Sequence, residues 1–302
     1  MPNVMNPETL DILQYNDRQF IVVSPDEVVE EVITKAALKA AKKAEQAETP
    51  ATSSSTHFDW KSIATGAVIG VSSAFTKFSP LYTVGALVIN EALEAWARAR
   101  ESGLNILQVK RSDASKLKFP PGHPRDGVLY IGHPVFLKQY YTAGAFHRMA
   151  FEHKFSEAID ILMHLGAKEI IVEHLRGWSR EFAGNLSLPL ARAGTGIKTS
   201  SNTNLLFEAT LKGNTNPTMP DTLVWYQHEP TWQSIAKGRL SYGLSQFSLT
   251  VNYEDDFGVN LDLKTSVEKA GLKLGGNFET FISTTWKIHG RFADFESDKQ
   301  LE

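Results

Sequence analysis

The sequence predicts an α+β fold: a strand–helix–strand unit followed by a mainly antiparallel sheet, with a pair of apolar helices near the N-terminus. Three observations predict it. Phe151, Phe155, Ala158, Leu162 and Leu165 step by four and three between two short apolar runs, which is the stripe of a core-facing helix. Residues 247–253 and 282–292 alternate apolar and polar side chains with the period of two of a half-buried strand. Residues 62–90 carry a single charge, Lys77, in a run rich in Gly, Ala, Ser and Val.

In chain order, Phe20, Ile21, Val22 and Val23 read as a strand. Ser24, Pro25 and Glu27 then supply a capping residue, a first-turn proline and a capping-box acid. The following helix, 28–47, sets Val28, Val29, Val32, Ile33 and Ala36 at helical spacing and thins to alanine beyond Leu38, as a solvated end does. Residues 48–58 form a small, polar linker. Lys77 and Pro80 divide the uncharged stretch into two halves. A spanning helix needs roughly 20 apolar residues in a row, so these halves read as two short helices, the second ending at Gly103. The chain thus divides into an N-terminal strand and charged helix (1–47), a linker (48–58), an apolar helical pair (59–103) and an α+β domain (104–302).

Within that last domain, 104–110 and 127–131 read as strands, 142–165 as the best helix, capped by Gly166, and 168–173 as a returning strand. If the strands flanking the helix share a sheet, they are parallel and the crossover is right-handed. Further strands are expected at 205–211 and 223–226, and a helix at 230–244. Strands 247–253 and 259–263 read as a hairpin about the turn Asp255-Asp256-Phe257-Gly258, followed by a short helix at 267–274 and the final strand.

Composition bounds the function. In 302 residues, 42% are apolar and 22% charged, enough to bury a core. The net charge of -3 gives no case for nucleic acid as a partner, nor for docking on anionic lipid by basic residues alone. Without cysteine the chain has no disulfide, no thiolate nucleophile and no Cys-ligated metal. The N-terminus lacks a basic and an apolar signal region, and Pro2 replaces the glycine of myristoylation, so the protein is expected in the cytoplasm when first made.

The residues that could carry chemistry are few. His147 and His153 lie six apart on the strong helix, about 120° around its axis, the wrong spacing for a shared metal. His123 and His133 each sit in a Gly-His-Pro turn. Gly194-Thr195-Gly196 lacks the third glycine of a dinucleotide fingerprint, and there is no phosphate loop or nucleophile elbow, so no cofactor or metal is expected. Asp255 and Asp256 after Glu254 read as a solvated hairpin tip.

Three functional expectations follow. The leading one is a non-enzymatic, membrane-active protein, pore-forming after a change of conformation or assembly, with lipid or its own copies as partners. Its insertion surface would comprise Ile63, Val68, Ile69, Val71, Phe75, Leu81, Val84, Leu87, Val88 and Ile89. The hairpin at 247–263 would contribute its alternating faces. In pattern alone, this pairing is similar to pore-forming defence proteins. The second is an interaction module that docks a protein partner on the N-terminal helix. The third is a hydrolase-like cleft built from His123, His133, His147 and Glu173.

Overall fold

The computed structural model describes residues 7–47, 94–95, 97–99, 101, 103–178 and 204–294. The fold is α+β, with two four-stranded sheets among the described residues. The first takes β1 (Phe20–Ser24), β2 (Ile106–Lys110), β3 (Leu129–Gly132) and β4 (Tyr140–Thr142) in the order β2-β1-β3-β4. β1 and β2 are parallel, and the other pairs antiparallel. The second takes β5 (Ala167–Arg176), β6 (Leu205–Thr210), β7 (Gln246–Tyr253) and β8 (Thr284–Phe292) in the order β6-β5-β8-β7, antiparallel throughout. Among the described residues the named α-helices are α1 (Tyr15–Arg18), α2 (Asp26–Ala47), α3 (Arg111–Ala114), α4 (Phe146–His164), α5 (Pro230–Tyr242) and α6 (Leu261–Ala270), and residues 94–95, 97–99 and 101 are helical as well.

The expected strands before and after α4 therefore do not share a sheet: β3 belongs to the first and β5 to the second. The helix is not a crossover but the element the sheets pack around, touching β4 on one side and β5 and β7 on the other. Its predicted stripe is fully used, with Phe151, Phe155, Ala158, Leu162 and Leu165 all buried. Phe151 and Phe155 meet the Trp286 ring of β8 edge-on at 4.9 and 5.0 Å. Gly166 ends the helix in the left-handed region at φ 88°, and a Cβ there would lie 2.1 Å from the Asn214 carbonyl oxygen. Gly166→Ala should cost about 2 kcal/mol through backbone strain and displacement of the 213–214 turn. A urea unfolding curve would detect it.

The two sheets differ in how they are covered, and their sequences differ accordingly. Val22, Leu129 and Ile131 face the main core, while Ile21, Val23 and Tyr130 face a smaller cluster with Leu10, Leu117 and Tyr140. Covered on both faces, these strands read as continuous apolar runs. The second sheet alternates because one face packs on α4 and the other is polar: Trp286 and Ile288 lie inward, Lys287, His289 and Arg291 outward. Its edge β7 is capped by side chains. Trp232 donates to the Thr250 carbonyl at 3.3 Å and Lys154 to that of Asn252 at 2.8 Å, which occupies carbonyls another chain could otherwise pair with.

Three local expectations are corrected. Residues 259–263 are not the second strand of a hairpin; Asn260 caps α6, its Oδ1 accepting from the Asp262 and Leu263 amides at 3.1 and 3.2 Å. β7 pairs with β8 instead. The short helix expected at 267–274 accordingly starts earlier and spans Leu261–Ala270. Residues 223–226 are not a strand either, because their amides turn to a side chain rather than to a neighbouring strand, as described below. The linker and residues 59–93 of the apolar pair, with every insertion candidate between 63 and 89, lie outside the described residues. Among the described residues no helix is long and apolar enough to cross a membrane.

Candidate functional site

The four sequence-predicted site residues occupy four separate settings. His147 is fully buried on α4. It donates from Nε2 to the Val259 carbonyl at 2.6 Å and accepts on Nδ1 from the Tyr253 hydroxyl at 2.9 Å. Burial holds its pKa below the ordinary histidine value, against the opposing pull of the Val259 carbonyl and of Asp256 and Asp255. Both nitrogens are thus committed to joining α4 to the turn after β7. Glu173 lies on the polar outer face of the second sheet, 3.7 Å from Lys287 Nζ and 3.5 Å from His289 Nε2. Asp255 and Asp256 accept from the Phe257 and Gly258 amides and so build their own turn. Among the described residues no group of acidic and histidine side chains is arranged to hold a metal ion.

His133 forms the most connected cluster. It follows β3, and the Val135 and Phe136 amides donate to its Nδ1 at 3.1 and 2.8 Å. Its proton is therefore on Nε2, which lies 3.0 Å from His153 Nδ1. The same His153 nitrogen accepts the Trp225 indole N–H at 3.2 Å, which puts the His153 proton on its own Nε2. Burial lowers the His133 pKa to about 3, with smaller contributions from His153 and Arg18. His153 is lowered by burial against the opposing charge of Glu157. A second proton on His133, or one on His153 Nδ1, would set one N–H against another, so the pair holds neutral imidazoles.

One helical turn beyond His153, Glu157 fixes the Trp225 side of this cluster. Its Oε1 accepts from the Trp225 and Tyr226 amides, both at 2.8 Å, and its Oε2 from the Val224 amide at 2.9 Å. Three successive backbone donors around one carboxylate form an anion nest, here filled by the protein's own side chain. Lys154 lies over the Trp225 ring, 5.3 Å from its centroid, and pairs with Glu229. The sequence pointed to His133 but not to its partners. The signal available was the i, i+4 spacing of His153 and Glu157, which sets both on one side of α4.

Of the four, His123 opens onto two clefts among the described residues. The Arg125 amide donates to the Tyr130 hydroxyl oxygen at 2.7 Å, and that hydroxyl in turn donates to His123 Nδ1 at 2.7 Å. His123 thus carries its proton on Nε2, and burial, aided by Arg125, lowers its pKa. The ring lines a cleft of about 670 Å³ beside α3 and another of about 530 Å³ beside Leu272 and Gly275. Tyr130, which orients the ring, was not among the expected site residues. No protein-family model, no curated protein and no solved structure matches this chain.

Proposed function

We propose that this is a non-enzymatic protein that acts on membranes through residues 62–90 after a change of conformation or assembly. The observation that carries the reading is the charge pattern, one lysine in that stretch, in a chain whose remaining residues are charged at ordinary density. The setting of its attachments supports it. α2 is held to the body near its start, where Val28 and Val29 are buried, Asp26 accepts the Ser112 amide and Glu30 pairs with Lys110. Beyond Glu31 every described α2 side chain is exposed. On the far side of the stretch Ala95 and Ala99 enter the main core. In the sequence, the uncharged segment thus falls between the exposed end of α2 and the core-anchored helical residues 94–101. The hairpin at 247–263 no longer supports this reading, since 259–263 caps a helix. The dispersal of His123, His133, His147 and Glu173 removes the main support for a histidine–carboxylate cleft.

Dye release from liposomes tests the proposal, with intact chain and with chain cut in the 48–56 linker. Leakage by the cut form, reduced at least about tenfold by Val71→Glu with Val84→Glu, is expected, because a charge buried at mid-bilayer costs about 3 kcal/mol. Absence of leakage and of flotation with lipid in both forms would overturn it. A protein-docking module would then be favoured by Ile33 and Leu38 on α2, 36% and 50% exposed.

A further inference from the structure

Of the two clefts that share His123, one has a chemistry of its own. The cleft beside Gly275 is lined by Arg125 and Lys273 but also by Asp126 and Glu268, so its charges balance. The lining of the cleft beside α3 carries Arg111, Lys118 and His123 and no carboxylate, with Asp126 just outside it paired to Arg111 at 2.6 Å, in a protein of net charge -3. Arg111 uses three of the five N–H groups of a guanidinium, two on Asp126 and one on the Pro124 carbonyl, and so has donors to spare. Lys118 is an exposed lysine whose ammonium lies 5.1 Å from the Phe136 ring centroid. His123 adds a neutral donor, its Nε2–H fixed by the Tyr130 hydroxyl on the other nitrogen. Phe119, half-buried, supplies apolar surface. At about 670 Å³ the volume lies within the range of small-molecule sites.

The geometry points to an anion site in this cleft for a small phosphate monoester with a flat apolar body, of nucleotide size. Three donor groups, two of them cationic, suit a phosphoryl group, which carries more charge than a carboxylate. The half-buried ring of Phe119 suits the flat body. The inference is independent of the membrane reading, since it concerns a face built by β3 and the segment 111–124.

Calorimetric titration of the full chain at physiological salt tests it, with AMP, adenosine and inorganic phosphate as the probes. Saturable one-to-one binding of AMP is expected, with adenosine and phosphate each at least about tenfold weaker. Lys118→Gln and Arg111→Gln should each weaken AMP about tenfold, the ~1.4 kcal/mol of one charge-assisted contact. Both residues are exposed, so these variants should fold, and matched unfolding curves would establish this. Lys273→Gln, in the neighbouring cleft, should leave binding unchanged. No saturable AMP binding would overturn the inference. So would equal loss with Lys273→Gln, or binding that ignores Lys118 and Arg111.

Discussion

Glu157→Ala should lower the stability of the protein by about 3–5 kcal/mol, the largest single effect expected outside the aromatic core. The substitution leaves the amides of Val224, Trp225 and Tyr226 without acceptors in a buried setting. It also frees the segment that seats Trp225 against His153. Glu157→Gln separates the two contributions. Its amide oxygen can keep the Trp225 and Tyr226 bonds, while its NH₂ faces the Val224 N–H, so a cost of about 1–2 kcal/mol is expected. Chemical denaturation with tryptophan fluorescence would measure both. A loss under 1 kcal/mol for the alanine variant would show that water replaces the carboxylate and that the nest does not hold the 224–226 segment.

Acid should destabilise the fold strongly between pH 6.5 and 4. His133 titrates at about 3 in the folded protein and near the ordinary histidine value of 6.5 when unfolded. Between those values the unfolded chain binds the proton and the folded chain does not. Stability is therefore complete above about pH 6.5 and falls by about 1.4 kcal/mol per pH unit below it. At pH 4.5 this amounts to about 3 kcal/mol from His133 alone, and His123, His147 and His153 are shifted in the same direction. Carboxylates also titrate in this window, so the informative comparison is with His133→Asn. An asparagine side-chain oxygen can take the Val135 and Phe136 amides without carrying a proton. Its stability should fall less steeply with acid, by close to one proton. An unchanged slope would show that His133 is protonated within the fold.

The misread segments have a common cause. Val259, Leu261 and Leu263 alternate like a strand, yet Val259, Leu263, Val267 and Ala270 are the buried residues and Leu261 is 56% exposed. Over five residues a spacing of four satisfies both the strand period and the helical one, and Asn260 as a cap decided between them. The apolar run 223–226 failed differently. Its amides are satisfied by a carboxylate 67 to 69 residues earlier, a pairing that no local pattern encodes.

The sequence by itself determined the α+β class, the stripe of α4 with its Gly166 cap, the continuous run of β1 and the alternation of β7 and β8. Each is a local record of which faces are covered, and burial periodicity writes it directly into the chain. Only the tertiary structure decided that α4 lies between two sheets, that His133 meets His153 and Trp225, and that Tyr130 orients His123 beside a cation-lined cleft. These depend on residues distant in sequence arriving within about 3 Å of one another, and hydrogen bonds of that reach leave no periodic mark.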